Sequence, residues 1–217
     1  IVLAVALIFF RVKLPEIEDS PTSHEKTETD KKGLWKEATF TFGLISLFLY
    51  VAAQTGINSF FINYATDGNW FDKPTATTLL SLGGLMLFMV GRVVGSLVMS
   101  RVKAEAVLVV CATATVVTTT IVVADCGALS MGALIAGYFF ESIMFPTIFA
   151  LSLRGLGEKT KRASSFLMMT PVGGAVGPWL MGWMADAHGM VLSFVVPLAG
   201  FVVVWIYSIF TLKNSKQ

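Results

Sequence analysis

Residues 50–68 read YVAAQTGINSFFINYATDG, an apolar run that nevertheless carries Gln54, Asn58 and Asn63. An unsatisfied polar group in hydrocarbon costs several kcal/mol, so these side chains must face protein, water or a ligand. Tyr50, Gln54 and Asn58 recur at i, i+4 and i+8, which aligns them along one helical face. A polar strip on a membrane-spanning helix suits a small ligand with many hydroxyl groups.

The rest of the composition supports a membrane setting. Apolar residues make up 55% of the chain and charged residues 14%, with a mean hydropathy of +0.74. Soluble domains hold about 45–50% apolar and about 25% charged residues, so the chain reads as an all-α integral membrane protein. Its net charge of +2 is small, and no basic stripe offers nucleic acid a surface. Cys111 and Cys126 form neither a disulfide framework nor a metal spacing. The opening IVLAVALIFFRVK places its positive residues after the apolar run, the reverse of a secretory signal. Residues 1–12 are therefore expected to be the end of a spanning helix, and the chain a fragment of a longer protein.

Residues 13–36 are rich in Asp, Glu, Lys, Ser, Thr and Pro and cannot build a core, so they read as a loop in which His24 is simply solvated. Trp35 suits an interfacial anchor. Six apolar segments follow, near 38–65, 76–100, 104–124, 127–153, 162–186 and 190–212, each close to the roughly 20 residues a bilayer needs. If the long loop is cytoplasmic, successive turns alternate sides. Every Lys and Arg then falls on the cytoplasmic side except Lys73, on the opposite face, and Arg92, within a span. That asymmetry obeys the positive-inside rule and places the amino-terminal loop and the carboxy terminus in the cytoplasm. The expected division is 1–12 helix end, 13–36 loop, 37–213 six-helix bundle and 214–217 tail.

Two ionisable residues sit inside the spans. Glu141, in YFFESIMFPTIFALS, should face the bundle interior, since an ionised acid at mid-membrane costs about 2.5–3.5 kcal/mol or more. It is a sugar-hydroxyl acceptor, a proton-coupled group or a buried structural hydrogen-bonder. Arg92 either snorkels towards the cytoplasmic face or pairs with an acid, in a structural or gating role. Gly91 and Gly95, four apart, allow close helix approach. Pro146 should kink the Glu141 helix. Gly173, Gly174, Gly177, Pro171 and Pro178 make the fifth segment a helix that packs tightly and bends, as close packing or as a hinge. Enzyme constellations are missing: no HExxH, no nucleophile elbow and no Cys/His ligand set. No catalytic residue, metal or cofactor is expected.

Four stretches in order, YVAAQTGINSFFINYATDG, LFMVGRVVGSLVMSRVKAEAVL, SIMFPTIFALSLRGLG and KRASSFLMMTPVGGAVGPWLMGWMAD, resemble the carboxy-terminal half of the fucose–galactose–glucose:proton symporters of the major facilitator superfamily. The resemblance implies that residues 1–12 end the sixth helix and that the six segments are the seventh to twelfth. It implies two bundles enclosing a midplane site, with the missing amino-terminal half as partner. Since the seventh and tenth helices line the cavity in this superfamily, Gln54 and Asn58 should face Glu141 across it. Many relatives are expected to have a neutral residue where this chain has Glu141, and the family's main proton-coupling acids lie in the other half. A monosaccharide and a proton are the implied substrates, in a cytoplasmic (inner) membrane. Tyr50, Phe61 and Phe145 are candidate surfaces for the sugar's apolar face. A drug antiporter of the same superfamily and a membrane sugar sensor without flux are the alternatives.

Overall fold

Ala38–Asp67 form one unbroken helix, α1, because the run contains no proline and its neighbours accommodate its glycines. At about 1.5 Å per residue it is about 45 Å long, more than the roughly 30 Å of hydrocarbon it must cross. The structure, a computed structural model, describes residues 33–68 and 70–215. The expectations for residues 1–12, for the loop as far as residue 32 and for the last two residues lie outside the described residues.

The second span starts with α2 (Lys73–Thr78), where Pro74 costs nothing in the first turn. It continues through a π-helical stretch, Leu79–Leu85, into α3 (Met86–Met99). α4 is Ala104–Val123. The fourth span is interrupted, with α5 (Ala128–Glu141) and α6 (Met144–Leu153) separated by Ser142 and Ile143. A short 3₁₀ turn, Gly157–Lys159, leads to α7 (Thr160–Leu167). A second 3₁₀ turn, Thr170–Val172, leads to α8 (Gly173–His188). The chain closes with α9 (Met190–Ser193) and α10 (Val195–Asn214).

Among the described residues, five segments are long and apolar enough to cross a membrane: Ala38–Asp67, Lys73–Met99, Ala104–Val123, Ala128–Leu153 and Met190–Asn214. The fifth apolar segment, expected over 162–186 as a span that packs tightly and bends, consists of two helices, α7 and α8, joined by the turn at Pro171. Pro171 has no N–H to give to the carbonyl of Leu167, four residues earlier, which is where α7 ends. Pro178 lies within α8 without ending it.

α1 sits at the centre of the bundle, with α8, α10 and α6 against it, while α4 bridges α10 and α5. α8 lies so close to α1 that a Cβ on Gly177 would run into the Ala52 carbonyl oxygen. α3 packs on α5 in the same way, with Gly91 facing the Phe139 carbonyl. Small residues of this kind are the usual means of close approach in a membrane, where apolar burial alone does not drive helices together. At the end of the bundle where α1 begins, Glu105 in the first turn of α4 is buried and ion-paired with Arg154, just beyond α6. Lys159 reaches Glu37 at 3.3 Å nearby. Trp35 rests edge-on against Phe40 and Phe166.

Candidate substrate-binding face

The break between α5 and α6 has a chemical cause. Pro146 offers no N–H to the carbonyl of Ser142, four residues earlier, and the helix opens there. Carbonyls released in hydrocarbon need donors from elsewhere. Two neighbouring helices supply them. The Tyr50 hydroxyl of α1 donates to the Glu141 carbonyl at 2.6 Å, and Nε of Arg92, on α3, donates to the Ser142 carbonyl at 3.4 Å. The Ser142 hydroxyl turns back to the Phe139 carbonyl at 2.7 Å.

Arg92 makes no ion pair with an acid among the described residues. Its guanidinium lies over the Phe88 ring, 5.4 Å from the centroid, and caps a broken helix. Tyr50 touches the Glu141 backbone directly, through that hydrogen bond. The Tyr50 ring is fully buried between Phe145 and Phe201, with centroids 6.5 and 6.4 Å away.

Further along α1, Gln54 and Asn58 are half-buried, and Asn63 is exposed. Gln54 lies within reach of the Tyr50 hydroxyl. Asn58 keeps its amide uncommitted among the described residues. Phe61 is fully buried and meets Tyr138 edge-on at 6.0 Å, so its ring is occupied by packing. Phe145 is half-buried and stacked on Phe149 at 6.4 Å.

Glu141 is 2% exposed. Among the described residues its Oε2 has no hydrogen-bond partner, and neither has the hydroxyl of Tyr138, one turn earlier on α5. Its Oε1 and the Thr118 hydroxyl of α4 flank Gly137. Buried polar atoms are rarely left unpaired, which makes Glu141 and Tyr138 candidates for a functional role. The Tyr138 ring in turn lies on Gly84 of the π-helical stretch, whose wider turn leaves room for it.

Gly95 takes Ile143 against it, and Gly173 takes the Phe48 carbonyl, so both act as close-approach points. Gly177 does the same, while Pro146 is exposed and Pro178 half-buried. Tyr50, Gln54, Glu141, Phe145 and Arg92 thus gather around one helix break. Gly173, Gly177 and Pro178 lie on the opposite flank of α1. Sequence reading missed Tyr138 and the Glu105–Arg154 pair. For Tyr138 the signal was available, since it precedes Glu141 by three residues and shares its face.

No family model matches the chain. Among curated proteins it is 33% identical to a glucose/galactose transporter of Brucella abortus, over 97% of this chain and 51% of that protein. It is 32% identical to a putative glucose/galactose transporter of Helicobacter pylori, over 99% of this chain and 52% of that protein. With the L-fucose-proton symporter of Escherichia coli it shares 31% identity, over 100% of this chain and 50% of that protein. The crystal structure of the Escherichia coli fucose:proton symporter superposes with a TM-score of 0.87 at 30% identity, covering 97% of this chain and 52% of the symporter. A crystal structure of a major facilitator superfamily transporter, FucP, in the outward conformation matches with the same TM-score.

A helical bundle built round a central spanning helix, with broken helices at its polar face, is here the fold of half a major facilitator superfamily transporter. The chain's relatives are the glucose/galactose transporters and the L-fucose–proton symporters, and it spans about half the length of each.

Proposed function

We propose that this chain is the carboxy-terminal half of a proton-coupled monosaccharide importer, with L-fucose as the first substrate to test. The observation that carries this is the strip of Gln54 and Asn58 beside the Tyr50–Glu141 contact, in a chain whose relatives are named sugar transporters. A sugar offers hydroxyls that need donors and acceptors, and an apolar face that stacks on aromatic rings. Gln54, Asn58 and the unpartnered Glu141 oxygen meet the first need, and the half-buried Phe145 meets the second.

In this proposal residues 1–12 end the sixth helix, 13–36 form the cytoplasmic loop between halves, 37–213 form the bundle and 214–217 a cytoplasmic tail. The setting is the inner membrane, with both the loop and the carboxy terminus cytoplasmic, as the basic residues favour. The amino-terminal half is the partner that completes the pocket, and alternating access rocks one half against the other. One proton falling through 100 mV releases about 2.3 kcal/mol, enough for about fifty-fold accumulation of a neutral sugar.

A glucose or galactose substrate is favoured by the slightly higher identity to the glucose/galactose transporters, 33% against 31%. Uptake of labelled L-fucose, D-galactose and D-glucose by the full-length transporter in proteoliposomes, under an imposed inward proton gradient, separates these cases. Uptake indifferent to the gradient would remove the symport reading. Sugar binding without flux would replace transport with sensing.

A further inference from the structure

Between α3 and α4 lies a slot that the sugar proposal does not use. Gly91, Gly95 and Val98 line one wall, Val107 and Val110 the other, and Phe140 belongs to the floor. Every lining side chain is apolar, and the cavity measures about 240 Å³. From Gly91 to the end of α3 at Met99 it runs about 12 Å at the helical rise of about 1.5 Å per residue, and Val102 in the turn beyond extends it. That approaches half of the roughly 30 Å hydrocarbon core, the depth of one leaflet.

We propose that this slot holds one acyl chain of an anionic glycerophospholipid, with its headgroup phosphate met by Arg101 and Lys103 at the turn. The dimensions point to a hydrocarbon chain: a helix about 10–12 Å across does not enter a 240 Å³ slot of that length. The charge at the mouth points to the headgroup. Arg101 and Lys103 flank Val102, which lines the end of the slot, and both are exposed. Neither makes an ion pair among the described residues. The nearest acid in sequence, Glu105, is buried and already held by Arg154, so it does not neutralise them. Two unneutralised cations at the end of an apolar slot nearly one leaflet deep suit a phosphate ester carrying a chain. The proposal is independent of which sugar, if any, is moved.

The intact transporter, purified in detergent and mixed with either phosphatidylglycerol or phosphatidylcholine of identical chains, tests this by native mass spectrometry. One phosphatidylglycerol should be retained in preference to phosphatidylcholine. Arg101→Gln and Lys103→Gln should each reduce its retention roughly fivefold. Val98→Trp, which fills the slot and leaves both charges in place, should abolish it. As a check independent of that substitution, Val110→Trp places a fluorophore on the exposed rim. Acyl-brominated phosphatidylglycerol should quench it more strongly than the equally brominated phosphatidylcholine. Equal retention of the two lipids, unchanged retention in the Arg101→Gln/Lys103→Gln double variant, or equal quenching would overturn the proposal.

Discussion

At the scale of single residues, the polar strip of α1 divides into two jobs. Tyr50 spends its hydroxyl on the Glu141 carbonyl, whereas Asn58 spends its amide on nothing in the described structure. Removing a donor from a buried carbonyl leaves that carbonyl unpaired, at about 1–3 kcal/mol. Tyr50→Phe is therefore expected to lower the thermal midpoint of the purified transporter by several degrees. Gln54→Ala and Asn58→Ala should leave the midpoint nearly unchanged and raise the half-saturating sugar concentration. Each loses a hydrogen bond to substrate worth about 1 kcal/mol, which is roughly fivefold. Paired measurements of midpoint and uptake on the three variants check the division. If Tyr50→Phe shifts only the half-saturation, its hydroxyl serves the sugar and the helix brace is secondary. The strip itself was legible from spacing alone. Its division was not, because the partner of Tyr50 is a backbone carbonyl, and pattern reading tracks side chains.

At the scale of elements, the broken helix α5–α6 is the feature to which the site residues refer. Pro146 was legible as a kink, and the rule that a proline orphans the carbonyl four residues earlier names Ser142 as the group needing a donor. What sequence does not supply is which neighbouring helix brings that donor, since this depends on how α3 packs on α5 through Gly91. The cap predicts a coupled pair. Arg92→Ala should destabilise by about 1 kcal/mol, as its bond to Ser142 is long at 3.4 Å. In a Pro146→Ala background residue 146 has an N–H of its own for that carbonyl, and the cost of Arg92→Ala should largely vanish. A double-mutant cycle on thermal or denaturant stability reads the coupling directly. Strict additivity would mean that Arg92 acts elsewhere, for example through the Phe88 ring. A second element-level prediction concerns α8. Gly177→Val puts a branched side chain into the Ala52 carbonyl, so folded yield should fall sharply, whereas Val at the open position Gly132 should be tolerated.

At the scale of the whole molecule, the fold class and the order of the spans were readable, because twenty-residue apolar runs and charged turns are long signals that survive small errors in register. The fifth segment was read as a helix that bends, and its bend is a 3₁₀ turn between α7 and α8, whose place hydropathy averages over. The site was readable only as one face. The second span has 11% of its apolar window buried inside the chain, against 50% for α1. Trp179 and Trp183 on α8 are likewise exposed. In the proposed transporter some of these surfaces meet lipid and the others meet the amino-terminal half, which also supplies the facing wall of the pocket. The consequence is a prediction about the chain by itself. Residues 1–217 inserted alone into vesicles should show no gradient-driven uptake of L-fucose, galactose or glucose, because alternating access needs two bundles to rock. Supplying the other half as a separate polypeptide should restore part of the flux of the intact transporter. Asn58→Ala in this half should then raise the half-saturation of the reassembled pair as it does in the intact protein. Uptake by the isolated chain at rates near those of the intact transporter would overturn the two-bundle mechanism, since a single half has only one wall of the pocket to move.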